Sequence, residues 1–136
     1  MAEILIVDDD DVIRETLYEL LSAQYNCDTA ETAEQALQKL ANGIVDVVLT
    51  DISMPGLSGK ELLRRVGQLY PLTPVIMVSG MSDQEYAEEL IKQGAFAYLL
   101  KPFRLEIVEE CVERALQQRL TRLERESKEN FQASPP

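Results

Sequence analysis

The residues best suited to chemistry in this chain come at or just beyond the ends of short apolar segments. The run from Asp8 to Asp11 follows the first segment, and Asp51 follows the third. Ser79 follows the fourth segment and Lys101 follows the fifth. If these segments are parallel strands of one sheet, the polar groups meet at its carboxyl edge, where open α/β sheets bind ligands.

Carboxylates gathered in this way need a cation. They repel one another, and the pKa of at least one rises unless positive charge intervenes. Oxygen ligands without nitrogen or thiolate partners suit Mg²⁺, which keeps several waters and leaves room for phosphate oxygens. A screened carboxylate can attack phosphorus and form an acyl phosphate. The Lys101 ammonium and the Ser79 hydroxyl would then bind the phosphoryl oxygens.

The composition restricts the function further. The chain has 136 residues, of which 46% are hydrophobic, enough for one domain with a core. Its net charge of −11 disfavours binding to nucleic acids or anionic membranes. The absence of histidine excludes Ser-His-Asp catalysis and means that the chain is not itself a histidine phosphodonor. With no long apolar stretch and no signal-peptide pattern, we expect a cytoplasmic location.

Short apolar segments alternate with amphipathic helical patterns along most of the chain. Four of the five segments are almost uninterrupted apolar residues, as in strands buried on both faces of a parallel sheet. The spacing between them leaves room for one helix in each crossover. We therefore predict an α/β fold with helices on both faces of a five-stranded parallel sheet. The predicted strands are Ile4–Val7, Cys27–Thr29, Val45–Leu49, Val75–Val78 and Phe96–Leu100.

Local signals mark the helix boundaries. Thr32 and Ser82 each begin a capping box at the start of a predicted helix. Gly43 and Gly94 lie where helix C-termini favour a left-handed residue, so we expect that conformation at both.

The last helical pattern is longer than a crossover requires. It begins near Arg104 and continues to about Glu129. We divide the chain into one domain, residues 1–119, and a helical extension with a disordered linker or tail, residues 120–136. The extension is typical of a solvated helix end, but also of a connector toward an output domain or partner chain. The apolar seam of such a connector would be Leu116, Leu120 and Leu123.

Four motifs lie at the ends of the predicted strands, and their order and spacing along the chain are informative. They are Ile4-Leu-Ile-Val-Asp-Asp-Asp10, Leu49-Thr-Asp-Ile-Ser-Met-Pro-Gly56, Val78-Ser-Gly80 and Tyr98-Leu-Leu-Lys-Pro-Phe103. Together they resemble the receiver domain of two-component response regulators, the CheY-like superfamily. The resemblance covers roughly residues 3 to 118 and implies a doubly wound, flavodoxin-like sheet with strand order 2-1-3-4-5.

The resemblance implies a role for individual residues. Asp51 would be the phosphoacceptor and Lys101 the phosphate-binding lysine, with a cis bond to Pro102. Ser79 would be the switch hydroxyl. Tyr98 would be the aromatic switch residue, which turns inward when the hydroxyl moves toward the phosphoryl group.

A set of Mg²⁺ ligands follows from the same resemblance. It comprises the carboxylates of Asp8, Asp9 and Asp51 and the backbone carbonyl of Ser53. Asp9 would bind the metal directly and Asp8 largely through water. One of the two next aspartates would cap the first helix.

The function implied is a phosphorylation-dependent signalling switch rather than an enzyme acting on other substrates. A sensor histidine kinase would donate the phosphoryl group, and the face of the fourth helix, fifth strand and fifth helix would change shape. That change would regulate a partner, a homodimer or an output domain. Ser53 and Met81 flank the expected phosphoryl group and orient water poorly, so we expect slow self-dephosphorylation.

Three other functions fit the residue pattern less well. A Mg²⁺-dependent phosphohydrolase of the haloacid dehalogenase type would need a second carboxylate two residues after its nucleophile, where this chain has Ser53. A degenerate receiver serving only as an interaction module is disfavoured because the acidic, hydroxyl and lysine positions are all filled. A nucleotide-binding fold is disfavoured because no Gly-rich loop follows the first strand.

Overall fold

Five strands alternate with five helices in the computed structural model, which describes residues 1–54, 56–80 and 84–133. The strands pair in parallel in the order β2-β1-β3-β4-β5, which confirms the predicted doubly wound fold. The elements are β1 (Glu3–Val7), α1 (Asp11–Ser22), β2 (Asn26–Ala30), α2 (Ala33–Asn42), β3 (Val47–Asp51), α3 (Gly59–Leu69), β4 (Val75–Ser79), α4 (Gln84–Lys92), β5 (Ala97–Leu100) and α5 (Leu105–Ala133).

The sheet divides the core into two layers. Successive strand residues point to opposite faces, so each strand contributes to both. Leu5 and Val7 of β1 pack in the layer covered by α2, α3 and α4, whereas Ile4 and Ile6 pack in the layer covered by α1 and α5. Every residue of β3 and β4 is buried, as expected for the continuous apolar segments.

Helix boundaries follow most of the local signals. Thr32 caps α2, and its hydroxyl accepts a hydrogen bond from the backbone N–H of Gln35 at 3.1 Å. Gly94, after α4, has a positive φ of 111°, as predicted. The prediction for Gly43 is wrong: its φ is −166°, because the chain leaves α2 in an extended conformation that leads toward β3. The capping box at Ser82 lies outside the described residues.

Helix α5 continues well beyond the sheet and ends at Ala133, a few residues past the predicted end. Arg119 fastens it to the sheet's amino edge: Nε lies 2.9 Å from Oδ1 of Asp46, and Nη1 donates a hydrogen bond to the carbonyl of Leu72 at 3.0 Å. Beyond Arg119 the described side chains are almost all exposed. The domain boundary at residue 119 stays a prediction.

The seam predicted along α5 is only partly covered. Leu116 packs against the core, whereas Leu120 is 55% and Leu123 39% exposed. Both readings of the extension, a solvated helix end and a connector, are therefore compatible with the fold. In the described ranges no helix is both long enough and apolar enough to cross a bilayer.

Candidate functional site

The carboxyl edge of the sheet gathers the polar residues singled out in the sequence. Asp8 directly follows β1, Asp51 ends β3, Ser79 ends β4 and Lys101 directly follows β5. Parallel pairing aligns these ends, since Asp51 lies beside Val78 and the backbone N–H of Lys101 donates to the carbonyl of Ser79 at 2.8 Å. The site is therefore built by strand register and not by a single loop.

Three carboxylates meet at this edge. One oxygen from each of Asp8, Asp9 and Asp51 lies within 4.8 Å of the others. Asp8 is 2% and Asp51 9% exposed, whereas Asp9 faces solvent. Burial raises the pKa of Asp8 above its ordinary value and the charge of Asp51 adds to this, although a backbone N–H and Lys101 act in the opposite direction. A group with only carboxylate oxygens fits a hard cation such as Mg²⁺.

Lys101 supplies positive charge to the same group. Its Nζ lies 3.2 Å from Oδ2 of Asp8 and 3.5 Å from Oδ2 of Asp51. The bond between Lys101 and Pro102 is cis, as predicted. An ammonium between two carboxylates can bind an anionic group attached to either of them.

The four consecutive aspartates make different contacts. Asp10 is the N-cap of α1 and accepts a hydrogen bond from the backbone N–H of Val12 at 2.9 Å. The N–H of Asp10 donates to Oδ1 of Asp8 at 2.9 Å, which holds the Asp8 carboxylate toward the site. Asp11 pairs with Arg14 at 2.5 Å, and Arg14 donates to the carbonyl of Asp8 at 2.9 Å. The predicted cap, at Asp10 or Asp11, is therefore confirmed at Asp10.

The loop after Asp51 is held by a close backbone contact that the sequence analysis missed. A Cβ on Gly59 would lie 2.1 Å from the carbonyl oxygen of Asp51, and the N–H of Gly59 donates to the carbonyl of Ile52 at 2.8 Å. A glycine in the first turn of a helix was the available signal, because it costs stability unless something approaches closely. Ser53 is exposed and its N–H lies 3.4 Å from Oδ1 of Asp51, while the role of its carbonyl stays a prediction.

Glu34 of α2 also supports this loop. Its Oε1 accepts a hydrogen bond from the backbone N–H of Leu57 at 2.8 Å, and this bond lowers the pKa of Glu34. No local pattern identifies the contact, because the two residues lie 23 positions apart.

The expected switch residues lie on the adjacent strands. Ser79 is 4% exposed at the end of β4. Tyr98 of β5 is half-buried, and its ring meets Tyr86 of α4 edge-on with centroids 6.5 Å apart. Their movement stays a prediction. Met81, invoked for slow dephosphorylation, lies outside the described residues.

Comparison with known proteins agrees with this geometry. The family model described as the response regulator receiver domain matches residues 4–113. The DNA-binding transcriptional regulator NtrC of Escherichia coli strain K12 is 42% identical over 112 residues, which cover 82% of this chain and 24% of NtrC. The chain thus spans about a quarter of the length of that relative.

Solved structures show the same likeness. The signal receiver domain of an HD domain-containing protein from Pseudomonas fluorescens Pf-5 superposes with a TM-score of 0.85 at 36% identity, over 91% of this chain and 93% of that one. A response regulator receiver domain protein from Clostridium thermocellum gives a TM-score of 0.84 at 31% identity, over 89% and 98% of the two chains.

Proposed function

Because the chain belongs to the response regulator receiver domain family, we propose that it is a phosphorylation-dependent switch that accepts a phosphoryl group on Asp51. The observation that carries this proposal is the cluster of three carboxylates within 4.8 Å of one another, with the Lys101 ammonium in contact with two of them. Such a cluster of carboxylates can bind a polyanionic ligand only if cations offset the repulsion between them.

Mg²⁺ is the cation that this site would hold. Its ligands would be the carboxylates of Asp8, Asp9 and Asp51 and the backbone carbonyl of Ser53. When bound, it would neutralise the carboxylates and bind phosphoryl oxygens during transfer.

The residues of the chain then have distinct tasks. A carboxylate oxygen of Asp51 attacks phosphorus and forms the P–O bond of an acyl phosphate, while the bond between phosphorus and its donor atom breaks. The Lys101 ammonium binds a phosphoryl oxygen as charge develops. Ser79 lies at the end of the neighbouring strand, from where its hydroxyl would donate to another phosphoryl oxygen.

Phosphorylation would be read as a shift between two conformations. Attraction of Ser79 to the phosphoryl group would move the loop after β4, and Tyr98 would turn inward. The surface of α4, β5 and α5 would change with them. Because phosphorylation would shift an equilibrium between two conformations, a minor active population would exist before phosphorylation.

The proposed partners are a phosphoryl donor and a downstream effector. Membership of the response regulator receiver family supports the phosphohistidine of a sensor histidine kinase, acting in the cytoplasm, as the donor. The relative NtrC is more than three times as long as this chain, which supports an output domain as the recipient of the signal. A second copy of the chain is the alternative recipient. The net charge of −11 makes this segment itself a poor ligand for nucleic acid.

The proposal is tested by measuring the intact mass after incubation with acetyl phosphate and Mg²⁺. We expect the wild-type chain to gain one phosphoryl group, and removal of Mg²⁺ with EDTA to abolish the gain. Asp51→Asn should gain none. Asp10→Asn is the matched control, because asparagine still caps α1 and the charge removed lies in the same aspartate run. Stoichiometric phosphorylation of Asp51→Asn would contradict the assignment.

A further inference from the structure

Three side chains from three elements form a contiguous contact beside the site. The Nζ of Lys60, in the first turn of α3, lies 5.1 Å from the centroid of the Tyr86 ring of α4. The Tyr86 ring in turn meets the Tyr98 ring of β5 at an interplanar angle of 89°. We call Lys60, Tyr86 and Tyr98 the cation–aromatic cluster.

The backbone at Lys60 is held close to Asp51 by the neighbouring residue Gly59. Lys60 directly follows Gly59, where an added Cβ would lie 2.1 Å from the carbonyl oxygen of Asp51 and whose N–H donates to the carbonyl of Ile52. The main chain at Lys60 therefore cannot move far relative to Asp51, whereas its long side chain can change direction.

Lys60 also faces the rim of the site. Lys60 and Tyr86 line the same open groove as Asp9 and Ser53. Lys101, by contrast, contacts the buried carboxylates Asp8 and Asp51. The two lysines therefore bring positive charge to different parts of the site.

We propose that Lys60 and Tyr86 are positioning residues of the switch, which hold α4 and Tyr98 in the unphosphorylated arrangement. The inference rests on the proposed function. A lysine over an aromatic face shifts an exposed equilibrium by roughly two- to fivefold. A phosphoryl group on Asp51 adds negative charge to the site, and the Lys60 ammonium turns from the Tyr86 ring toward it. Tyr86 then loses its cation and its hold on Tyr98 weakens, which lets α4 and Tyr98 move together.

The resting contact is tested in the unphosphorylated protein by amide hydrogen exchange in α4. Lys60→Met should exchange about two- to fivefold faster than wild type, and Tyr86→Leu, which also loses the ring contact with Tyr98, at least as fast as Lys60→Met. Tyr86→Phe keeps the ring face under Lys60 and should exchange more slowly than Tyr86→Leu. The double variant Lys60→Met/Tyr86→Leu should exchange no faster than Tyr86→Leu alone, because the two residues act through one contact. Lys128→Met, an exposed lysine of α5, controls for the lost charge.

Two outcomes of this measurement overturn the proposal. One is that the effects of the two single variants add in the double variant. The other is that Tyr86→Phe exchanges as fast as Tyr86→Leu, since the ring would then not be the element that matters. Thermal unfolding of each variant shows whether the change is confined to α4.

The release step is tested with beryllofluoride and Mg²⁺. We expect beryllofluoride to make amide exchange in α4 faster in wild type. The acceleration should be at least twofold smaller in Lys60→Met, because α4 in this variant is already partly released before beryllofluoride binds. An equal response of the two proteins overturns the role of Lys60 in release. No response in wild type contradicts the proposed function instead, and the experiment without beryllofluoride still decides whether the resting contact exists.

Discussion

Asp8 lies where an ionised carboxyl is costly in the metal-free protein. Burial raises its pKa, and the nearby charge of Asp51 adds to the effect. The unfolded chain returns Asp8 to water, so between its ordinary pKa and its raised pKa the folded protein holds more protons than the unfolded one. The contribution of Asp8 to stability therefore decreases as the pH rises through that window. Below the ordinary pKa both states are protonated and the penalty disappears.

Replacing this carboxyl should stabilise the metal-free protein and weaken metal binding. At pH 7 in EDTA, Asp8→Asn should raise the free energy of unfolding by about 1 kcal/mol, a typical size for a single substitution. Its affinity for Mg²⁺ should fall at least tenfold, because one anionic ligand is lost. Urea unfolding with and without Mg²⁺ measures both effects. A lower stability of Asp8→Asn in EDTA at pH 7 would show that burial and repulsion do not dominate at this carboxyl.

Among the helices, α3 is the one that fixes the backbone of Asp51, the proposed phosphoacceptor. Its first residue, Gly59, touches the backbone of Asp51, and Glu34 of α2 holds the preceding loop at Leu57. The backbone of Asp51 is thus fixed on both sides: by pairing of β3 with β4 and by the start of α3. If Asp51 is the acceptor, as proposed, holding it in place would lower the cost of orienting it for phosphoryl transfer.

Two glycines of α3 give a matched test of this contact. Gly59→Ala places a methyl group 2.1 Å from the carbonyl oxygen of Asp51, so the backbone must shift. We expect a loss of about 2 kcal/mol or more in the free energy of unfolding and slower phosphorylation by acetyl phosphate.

Gly67→Ala, with nothing within 4 Å of the added carbon, should instead stabilise the protein by up to about 1 kcal/mol, because alanine favours the helix. Denaturant unfolding and phosphorylation rates measure both variants. Equal stability of Gly59→Ala and Gly67→Ala would remove the argument for a tight junction between α3 and the acceptor.

At the scale of the whole molecule, the two edges of the sheet have different tasks. The carboxyl edge carries the carboxylates and Lys101, and the amino edge carries the attachment of α5. There Arg119 reaches Asp46, whose other oxygen accepts a hydrogen bond from the N–H of Glu3 at 2.7 Å. Helix α5 is thus held at the amino edge before it extends into solvent.

Loss of this attachment should loosen α5 without disabling the site. Arg119→Met should lower the free energy of unfolding by about 1–3 kcal/mol, since hydrogen bonds to a charged group are lost and Asp46 loses its charged partner. Phosphorylation by acetyl phosphate should stay within twofold of wild type. Arg122→Met, one helical turn further on and exposed, is the control and should change stability by less than about 0.5 kcal/mol. Equal effects of the two substitutions would mean that α5 is not anchored at Arg119.

The order of the elements, and the edge of the sheet where the main candidate residues meet, could be predicted from the residue pattern alone. Continuous apolar segments identify buried parallel strands, and the carboxyl ends of such strands share one edge of the sheet. For that reason Asp8, Asp51, Ser79 and Lys101 could be assigned to one place before the fold was known. A local signal failed at Gly43, where the path of the chain from α2 toward β3 overrode the preference for a left-handed glycine.

The contacts that support these groups arise from the packing of the folded chain and could not be predicted from the residue pattern. Gly59 on Asp51, Glu34 on Leu57 and Lys60 on Tyr86 join residues from different elements. Periodicity shows which face of a helix is buried, but it does not show which residue of a neighbouring helix or loop that face will meet. Such contacts depend on how helices pack across the sheet, and that arrangement exists only when the whole chain has folded.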